Sequence, residues 1–142
     1  IRKKNDGILH IVGNCENIPV QDNTYHRVTI SFGLRNITYR EKALNEIYRI
    51  LKPGGRFICL EFSKVENKFL EKGYDIWSFK FLPLIGELVT QNRNAYKYLV
   101  ESIRKFPNQD KLALMMSNAN FSRVKYKNLS QGIVALHSGW KI

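Results

Sequence analysis

The apolar positions of this chain change period several times, and each change marks an element. Residues 8–12 are a short apolar run that stops at Gly13 and reads as a strand. Residues 27–32 (RVTISF) are rich in β-branched side chains and stop at Gly33, which predicts a second strand. Thr38-x-x-Glu41 then has the form of a capping box, whose two side chains satisfy free N–H groups at a helix start. Ala43, Leu44, Ile47, Ile50 and Leu51 follow at helical spacing, so the predicted helix has one apolar face. Pro53-Gly54-Gly55 stops that helix and turns the chain. Residues 57–62 (FICLEF) are almost continuously apolar, as a strand buried on both faces of a parallel sheet requires. Strand, helix, turn and strand form a βαβ unit with a right-handed crossover.

Beyond it, residues 66–105 keep a helical but irregular pattern. Phe69, Leu70, Tyr74, Trp77, Phe81 and Leu82 make an aromatic-rich face, interrupted at Pro83 and Gly86. Tyr96, Leu99, Val100 and Ile103 form a cleaner stripe, closed by Pro107. A further helix over residues 109–119 carries Leu112, Met115, Met116 and Ala119. Residues 123–129 and 132–137 read as strands, and Ser130-Gln131-Gly132 between them predicts an antiparallel hairpin. Parallel strands with a terminal antiparallel pair predict one α/β domain built on an open sheet. Ligands of such sheets bind beyond the carboxyl ends of the strands. Three segments lie there: Gly13-Asn14-Cys15-Glu16, Phe32-Gly33-Leu34-Arg35-Asn36 and Glu61-Phe62-Ser63.

Composition narrows the picture by exclusion. At 142 residues with 44% hydrophobic and 25% charged, the chain has ordinary globular composition, which excludes disorder. The richest apolar stretch, residues 74–89, is broken by Asp75, Lys80, Pro83 and Glu87, so no membrane span is expected. No secretory leader is visible, and an opening Ile1 in place of Met predicts a true start further upstream. The net charge of +11 raises the question of nucleic acid. Its cations are spread from Arg2 to Lys141 with no run longer than Arg2-Lys3-Lys4, so we read a solvated basic surface and expect no nucleic-acid partner. Cys15 and Cys59 are far apart, and His10, His26 and His137 are scattered, so neither a disulfide framework nor a metal site is expected. A reducing compartment fits this cysteine usage.

The most specific motif is Arg49-Ile-Leu-Lys-Pro-Gly-Gly-Arg-Phe-Ile-Cys-Leu-Glu-Phe-Ser63, a helix that ends in Leu-Lys-Pro-Gly-Gly and feeds a buried strand. It resembles the step before the fifth strand of class I methyltransferases. Thr29-Ile-Ser-Phe-Gly-Leu-Arg-Asn36, Tyr74-Asp75, Ile85-Gly-Glu-Leu88, Tyr98-Leu-Val-Glu-Ser-Ile103, Phe106-Pro-Asn-Gln-Asp110 and Gly132-Ile-Val-Ala-Leu-His137 narrow the resemblance. Together they are similar to the ubiquinone/menaquinone biosynthesis C-methyltransferases, from Leu9 to the C-terminus. The resemblance implies a Rossmann-like sheet, S-adenosylmethionine as cofactor, and methylation of a ring carbon on a polyprenylated quinol. The same resemblance allows a homodimer and peripheral contact with a membrane. It implies an enzyme of bacterial cytoplasm, including the inner-membrane surface, or of the mitochondrial matrix.

Site residues carry over one at a time. Asn14 and Cys15 match the family's pair beside the adenine ring; alanine is usual at the second place, and a backbone contact survives the change. Ser31 matches a serine that contacts the cofactor. Arg35 and Asn36 match the Arg-Asn pair that faces the substrate pocket. Because guanidinium is a poor base, we assign Arg35 to holding a phenolate or an ordered water that takes the ring proton. Asn36 would donate to a ring oxygen. Glu61 reads either as a buried polar group of the site or as a strand-end carboxylate paired with a nearby base, and stays outside the catalytic set. The aromatic residues 69–81 read as core for the most part, with a quinone cover as the other role.

Departures from the family pattern are as informative. No G-x-G-x-x-G or similar loop follows a strand, and no acidic residue ends a second strand to hold ribose hydroxyls. These parts are expected upstream of Ile1, which makes residues 1–142 the C-terminal portion of a single, incomplete class I methyltransferase domain. In the strand order 3-2-1-4-5-7-6, the strand around residues 9–12 would lack its neighbour. The strand around 28–32 would expose an edge able to recruit partners. His26-Arg27 stands where aspartate is common, and Asn120 replaces a usual glycine, a mild change because asparagine tolerates left-handed backbone. Two rival readings remain: a methyltransferase of another small molecule or of RNA, and a non-catalytic fragment that binds partners.

Overall fold

The computed structural model describes residues 8, 10–65 and 93–142, with side chains from residue 97 onward in the last stretch. Tyr25–Ser31 forms β1, Arg40–Ile50 α1, Leu51–Phe62 β2, Arg93–Lys105 α2, Gln109–Asn118 α3, Ser122–Leu129 β3 and Val134–Trp140 β4. The strands lie side by side in the order β1-β2-β4-β3. β1 and β2 are parallel, with Val28 opposite Phe57 and Ser31 opposite Leu60. β4 runs antiparallel to both of its neighbours. The expected βαβ unit and terminal hairpin are therefore both present, in the partial order 4-5-7-6.

Alternation along β2 decides where the core sits. Phe57, Cys59 and Glu61 are buried, whereas Ile58, Leu60 and Phe62 are half-buried. The burial on both faces expected of FICLEF is thus realised on one face among the described residues. That face receives Leu44 and Ile47 of α1 together with Leu112 and Met116 of α3, in one cluster with Phe57 and Phe121. The Phe57 and Phe121 rings lie 5.5 Å apart, and Tyr48 meets Phe121 edge-on at 5.3 Å. Each fully buried side chain of this size contributes about 1.5–3 kcal/mol relative to exposure. Gly139 of β4 allows the approach, because a Cβ there would lie 2.9 Å from the Phe121 Cβ.

Three local expectations are corrected. The Thr38–Glu41 capping box does not form. The N-cap is Tyr39, which makes no side-chain cap bond, so α1 begins one residue later than the box requires. Glu16 supplies the missing acceptor from outside the helix, its Oε1 taking the Tyr39 N–H at 3.0 Å. Nor do residues 10–13 form a strand. A strand exists only in a ladder, and among the described residues no neighbour pairs with this segment or with the outer edge of β1. The chain is instead strapped to α1 further on, where Ile18 N–H donates to Glu46 Oε2 at 2.8 Å. Arg49 also donates to the carbonyls of Val20 and Ile18, at 2.7 and 2.9 Å, and to Asp22 at 2.6 Å. The Arg49 guanidinium holds the Glu46 carboxyl below its ordinary value, against a smaller opposing effect of burial. The third correction concerns Pro53-Gly54-Gly55, which is a loop within β2 rather than a turn before it. Leu51 pairs with Tyr25 and Arg56 with Arg27, so residues 52–55 bulge out, with Gly54 at φ 76°.

The remaining elements follow the pattern read from sequence. α3 is capped by Asn108, whose side chain accepts from Lys111 N–H at 3.0 Å. Val100 of α2 is buried and Leu99 and Ile103 are half-buried. The hairpin turn places Ser130, Gln131 and Gly132 all at positive φ. Asn120 sits at φ 68°, the left-handed geometry expected of a glycine replacement. The aromatic face from Phe69 to Leu82 lies outside the described residues, as does the side chain of Tyr96. Among the described residues no helix is long and apolar enough to cross a membrane.

Candidate active site

The carboxyl ends of β1 and β2 lie side by side, and their loops meet in an ion pair. Ser31 closes β1 and is exposed. Phe32 follows at φ 53°, its N–H still donating to Leu60 O at 2.9 Å, and the chain then enters a 3-10 turn over Leu34–Asn36. Leu34 is fully buried and anchors the turn. The turn lifts Arg35 over the end of β2, where its Nη1 donates to Glu61 Oε1 at 3.1 Å. The pair is shielded from water, with 1% of the Glu61 side chain and 11% of the Arg35 side chain exposed.

Every oxygen of that carboxylate is used. Glu61 Oε2 also accepts from the backbone N–H of Arg35 at 3.2 Å, and Oε1 accepts from the N–H of Phe62 at 2.9 Å. Arg35 Nη1 donates as well to the carbonyl of Phe32. The guanidinium lies over the Phe62 ring at 5.5 Å, and Phe62 packs on Phe32 at 4.8 Å. Arg35 Nε is buried without an acceptor. Glu61 is thus both a buried polar group and a strand-end carboxylate paired with a base, and the base is Arg35. A buried carboxylate with these bonds fixes the arginine's direction, because breaking any of them leaves a charge unpaired in a dry place.

Asn36, one residue on, is exposed. Its Oδ1 accepts from the Tyr98 hydroxyl of α2 at 3.1 Å, which leaves the amide –NH₂ as the end able to donate outward. In the sequence Tyr98 is only one letter of a longer motif. Its role needs the packing of α2 beside the 3-10 turn, which no local pattern reports.

Asn14 and Cys15 form a separate turn. Asn14 pairs with Asn17 in an isolated bridge, and its Oδ1 accepts from Glu16 N–H at 3.0 Å. Cys15 is exposed. Through Glu16 this turn is tied to the start of α1, just after the turn that carries Arg35 and Asn36. The structure thus gathers Ser31, Arg35 and Asn36 at one strand end and holds Asn14 and Cys15 on a neighbouring loop. Cys59, by contrast, is buried on β2, where burial and then the Glu61 charge push its thiol up to about 12. It is inert packing.

The ubiE/COQ5 methyltransferase family model matches residues 2–141. The chain belongs to the ubiE/COQ5 methyltransferase family. It is 53% identical over 137 residues to the ubiquinone/menaquinone biosynthesis C-methyltransferase UbiE of Brucella canis, covering 96% of this chain and 51% of that protein. The protein of the same name from Bartonella bacilliformis is 54% identical over 132 residues, covering 93% of this chain and 51% of its own length. The chain therefore spans about half the length of the curated relatives it matches. Among solved structures, a SAM-dependent methyltransferase from Thermotoga maritima described as a possible histamine N-methyltransferase superposes with TM-score 0.63 at 22% identity, over 92% of this chain and 62% of that one. A SAM-dependent methyltransferase from Aquifex aeolicus gives TM-score 0.64 at 14% identity, over 96% and 56%. At these identities the likeness is one of fold, the class I methyltransferase sheet.

Do the residues of this family member fit S-adenosylmethionine? Two exposed groups bear on the question. Cys15 is small and exposed, and the Ser31 hydroxyl is an exposed donor and acceptor at a strand end. A glycine-rich loop is not in the sequence.

Proposed function

We propose that this chain is the C-terminal portion of a class I methyltransferase domain, and that the enzyme it belongs to transfers a methyl group to a ring carbon of a lipid quinol. The observation that carries the reading is the buried Arg35–Glu61 pair at the carboxyl end of β1 and β2, in a chain matched to the family over residues 2–141. S-adenosylmethionine would bring an electrophilic methyl group on a sulfonium. Asn14, Cys15 and Ser31 are the residues of this chain assigned to hold it. Carbon methylation then requires an electron-rich ring in fixed orientation and a route for the displaced ring proton.

Arg35 suits the first requirement and not the second. Its guanidinium stays protonated and so cannot take the proton. It can hold a phenolate oxygen or a water by the donors that Glu61 leaves over, and water is the proton's acceptor. Asn36 adds a neutral donor, its amide turned by Tyr98. Glu61 is a positioning residue, since it touches Arg35 and not the ring. The substrate's lipid tail would draw the enzyme to a membrane surface, on the bacterial cytoplasmic side or in the mitochondrial matrix, without crossing the membrane.

Calorimetric titration with S-adenosylhomocysteine tests the cofactor part. Micromolar binding, about −8 kcal/mol, means that this chain holds a working nucleoside site. An absence of heat from a folded chain would overturn Asn14, Cys15 and Ser31 as a sufficient site and leave the activity to the longer protein.

A further inference from the structure

A polar cavity lies outside the site described above. It is a cleft of about 350 Å³ between the start of α1, the segment just after β2, and the turn from α2 to α3. Arg40, Lys64, Arg104, Lys105 and Lys111 line it, and Glu41 is the one carboxylate among its described lining residues. Among the described residues no side-chain hydrogen bond or ion pair engages Lys64, Lys105 or Lys111. Arg40, Lys64, Lys105 and Lys111 around one described acid repel each other unless an anion or solvent ions separate them.

The wall is built, not merely charged. Arg40 is held from two sides: its Nη2 donates to Arg35 O at 3.0 Å, and its guanidinium lies over the Phe106 ring at 5.4 Å. Its Nε is buried and has no acceptor. Gln109 fixes the neighbouring wall, its side-chain amide donating to the carbonyl of Lys64 at 2.9 Å. α1 starts at Arg40 and α3 follows its cap Asn108, so two helix N-termini, each with partial positive charge, adjoin the cleft. Guanidinium, ammonium and helix N-termini together select a compact multivalent oxyanion.

We propose that this cleft binds a phosphate group, carried by a phospholipid headgroup or by a free soluble phosphate. The cleft contains none of the residues assigned to methyl transfer. Its ligand would meet Arg40, and Arg40 holds the carbonyl of Arg35, so occupancy is transmitted to the 3-10 turn of the candidate active site.

The test is a titration of the chain with inorganic phosphate, followed by the backbone amide NMR signals of Lys64, Asn108 and Lys111. Sedimentation with vesicles of phosphatidylcholine, alone or mixed with phosphatidylglycerol, is measured beside it. Saturable shifts confined to the cleft are expected. The pair Lys64→Gln, Lys111→Gln should weaken binding roughly tenfold. The pair Lys125→Gln, Lys127→Gln, exposed on β3, should leave it unchanged. Retention by phosphatidylglycerol vesicles that only the cleft pair abolishes identifies the headgroup. Shifts with phosphate but no vesicle retention identify a free phosphate. If neither probe binds, or both lysine pairs weaken binding equally, the proposal fails, since the charge then acts diffusely. Circular dichroism checks that each variant is folded, and S-adenosylhomocysteine titration of the same samples separates this failure from failure of the methyltransferase reading.

Discussion

A single left-handed residue shows how much one position can say about its own backbone. Asn120 stands where a glycine is usual, and it adopts φ 68°. Replacing Asn120 with alanine keeps the size small and removes the side chain that eases this backbone, so a loss of about 1 kcal/mol is expected. Asn120→Gly should be neutral or slightly stabilising, and urea unfolding of the three proteins decides between these outcomes. Glu61 teaches the opposite lesson. Its place at the end of a buried strand is legible in the sequence, but its partner is not, because Arg35 is 26 residues away and joined only through the crossover. Glu61→Ala strands the guanidinium in a dry pocket. We expect about 3 kcal/mol of destabilisation, the low end for breaking a buried pair, because Arg35 keeps 11% exposure. If instead the pair contributes only direction, Glu61→Gln will lower methyl transfer by the full protein while leaving thermal unfolding almost unchanged.

Whole elements are legible wherever the pattern is local. Richness in β-branched residues marks β1, helical spacing marks α1 and α3, and three consecutive residues of positive φ close the hairpin that Ser130-Gln131-Gly132 predicts. Pairing is what local pattern misses. Residues 8–12 are as apolar as β1, yet hydrophobicity cannot create a ladder partner. The start of α1 is misread for the same reason, since its acceptor is Glu16 rather than a residue inside the helix. Glu16→Ala should therefore cost about 1 kcal/mol, the usual value for a lost helix cap, whereas Thr38→Ala, exposed and outside the cap, should cost nearly nothing. A thermal melt that ranked Thr38 above Glu16 would restore the capping box.

Across the whole molecule, acid is the perturbation that reaches the core. His137 on β4 is buried between α3 and β3, with Nε2 3.0 Å from Gln109 O and the Tyr126 ring at 5.3 Å. Burial lowers its pKa from the ordinary value, partly offset by the Gln109 carbonyl and the charge of Asp110. The folded protein therefore binds this proton less readily than the unfolded chain does. Its contribution to stability is complete above the unfolded value of about 6.5 and is lost as pH falls through the lower folded value. Chemical denaturation from pH 8 to 5 should show that loss in the wild type, and His137→Gln should flatten the curve. A steeper acid loss in the variant would assign the effect to other groups. Cys59 stands across the ladder from His137 and adds nothing in this range, its thiol being far above neutral pH.

Lys141 closes α1 from the far side of the sequence. Its Nζ donates to the carbonyl of Tyr48 at 2.9 Å, across 93 residues, and its backbone bonds on both sides to Gly54 and Gly55. Cations suit a helix C-terminus. During synthesis, however, the helix is made long before residue 141 exists. The carbonyls of Arg49 and Ile50 are already held by the N–H groups of Asn23 and Thr24, at 3.0 and 2.8 Å, so it is the Tyr48 carbonyl that waits for Lys141. A ribosome-bound nascent chain stopped at residue 120 should accordingly hold α1 with faster amide exchange in its last turn only, and the slowing of that turn would mark the moment at which the hairpin docks.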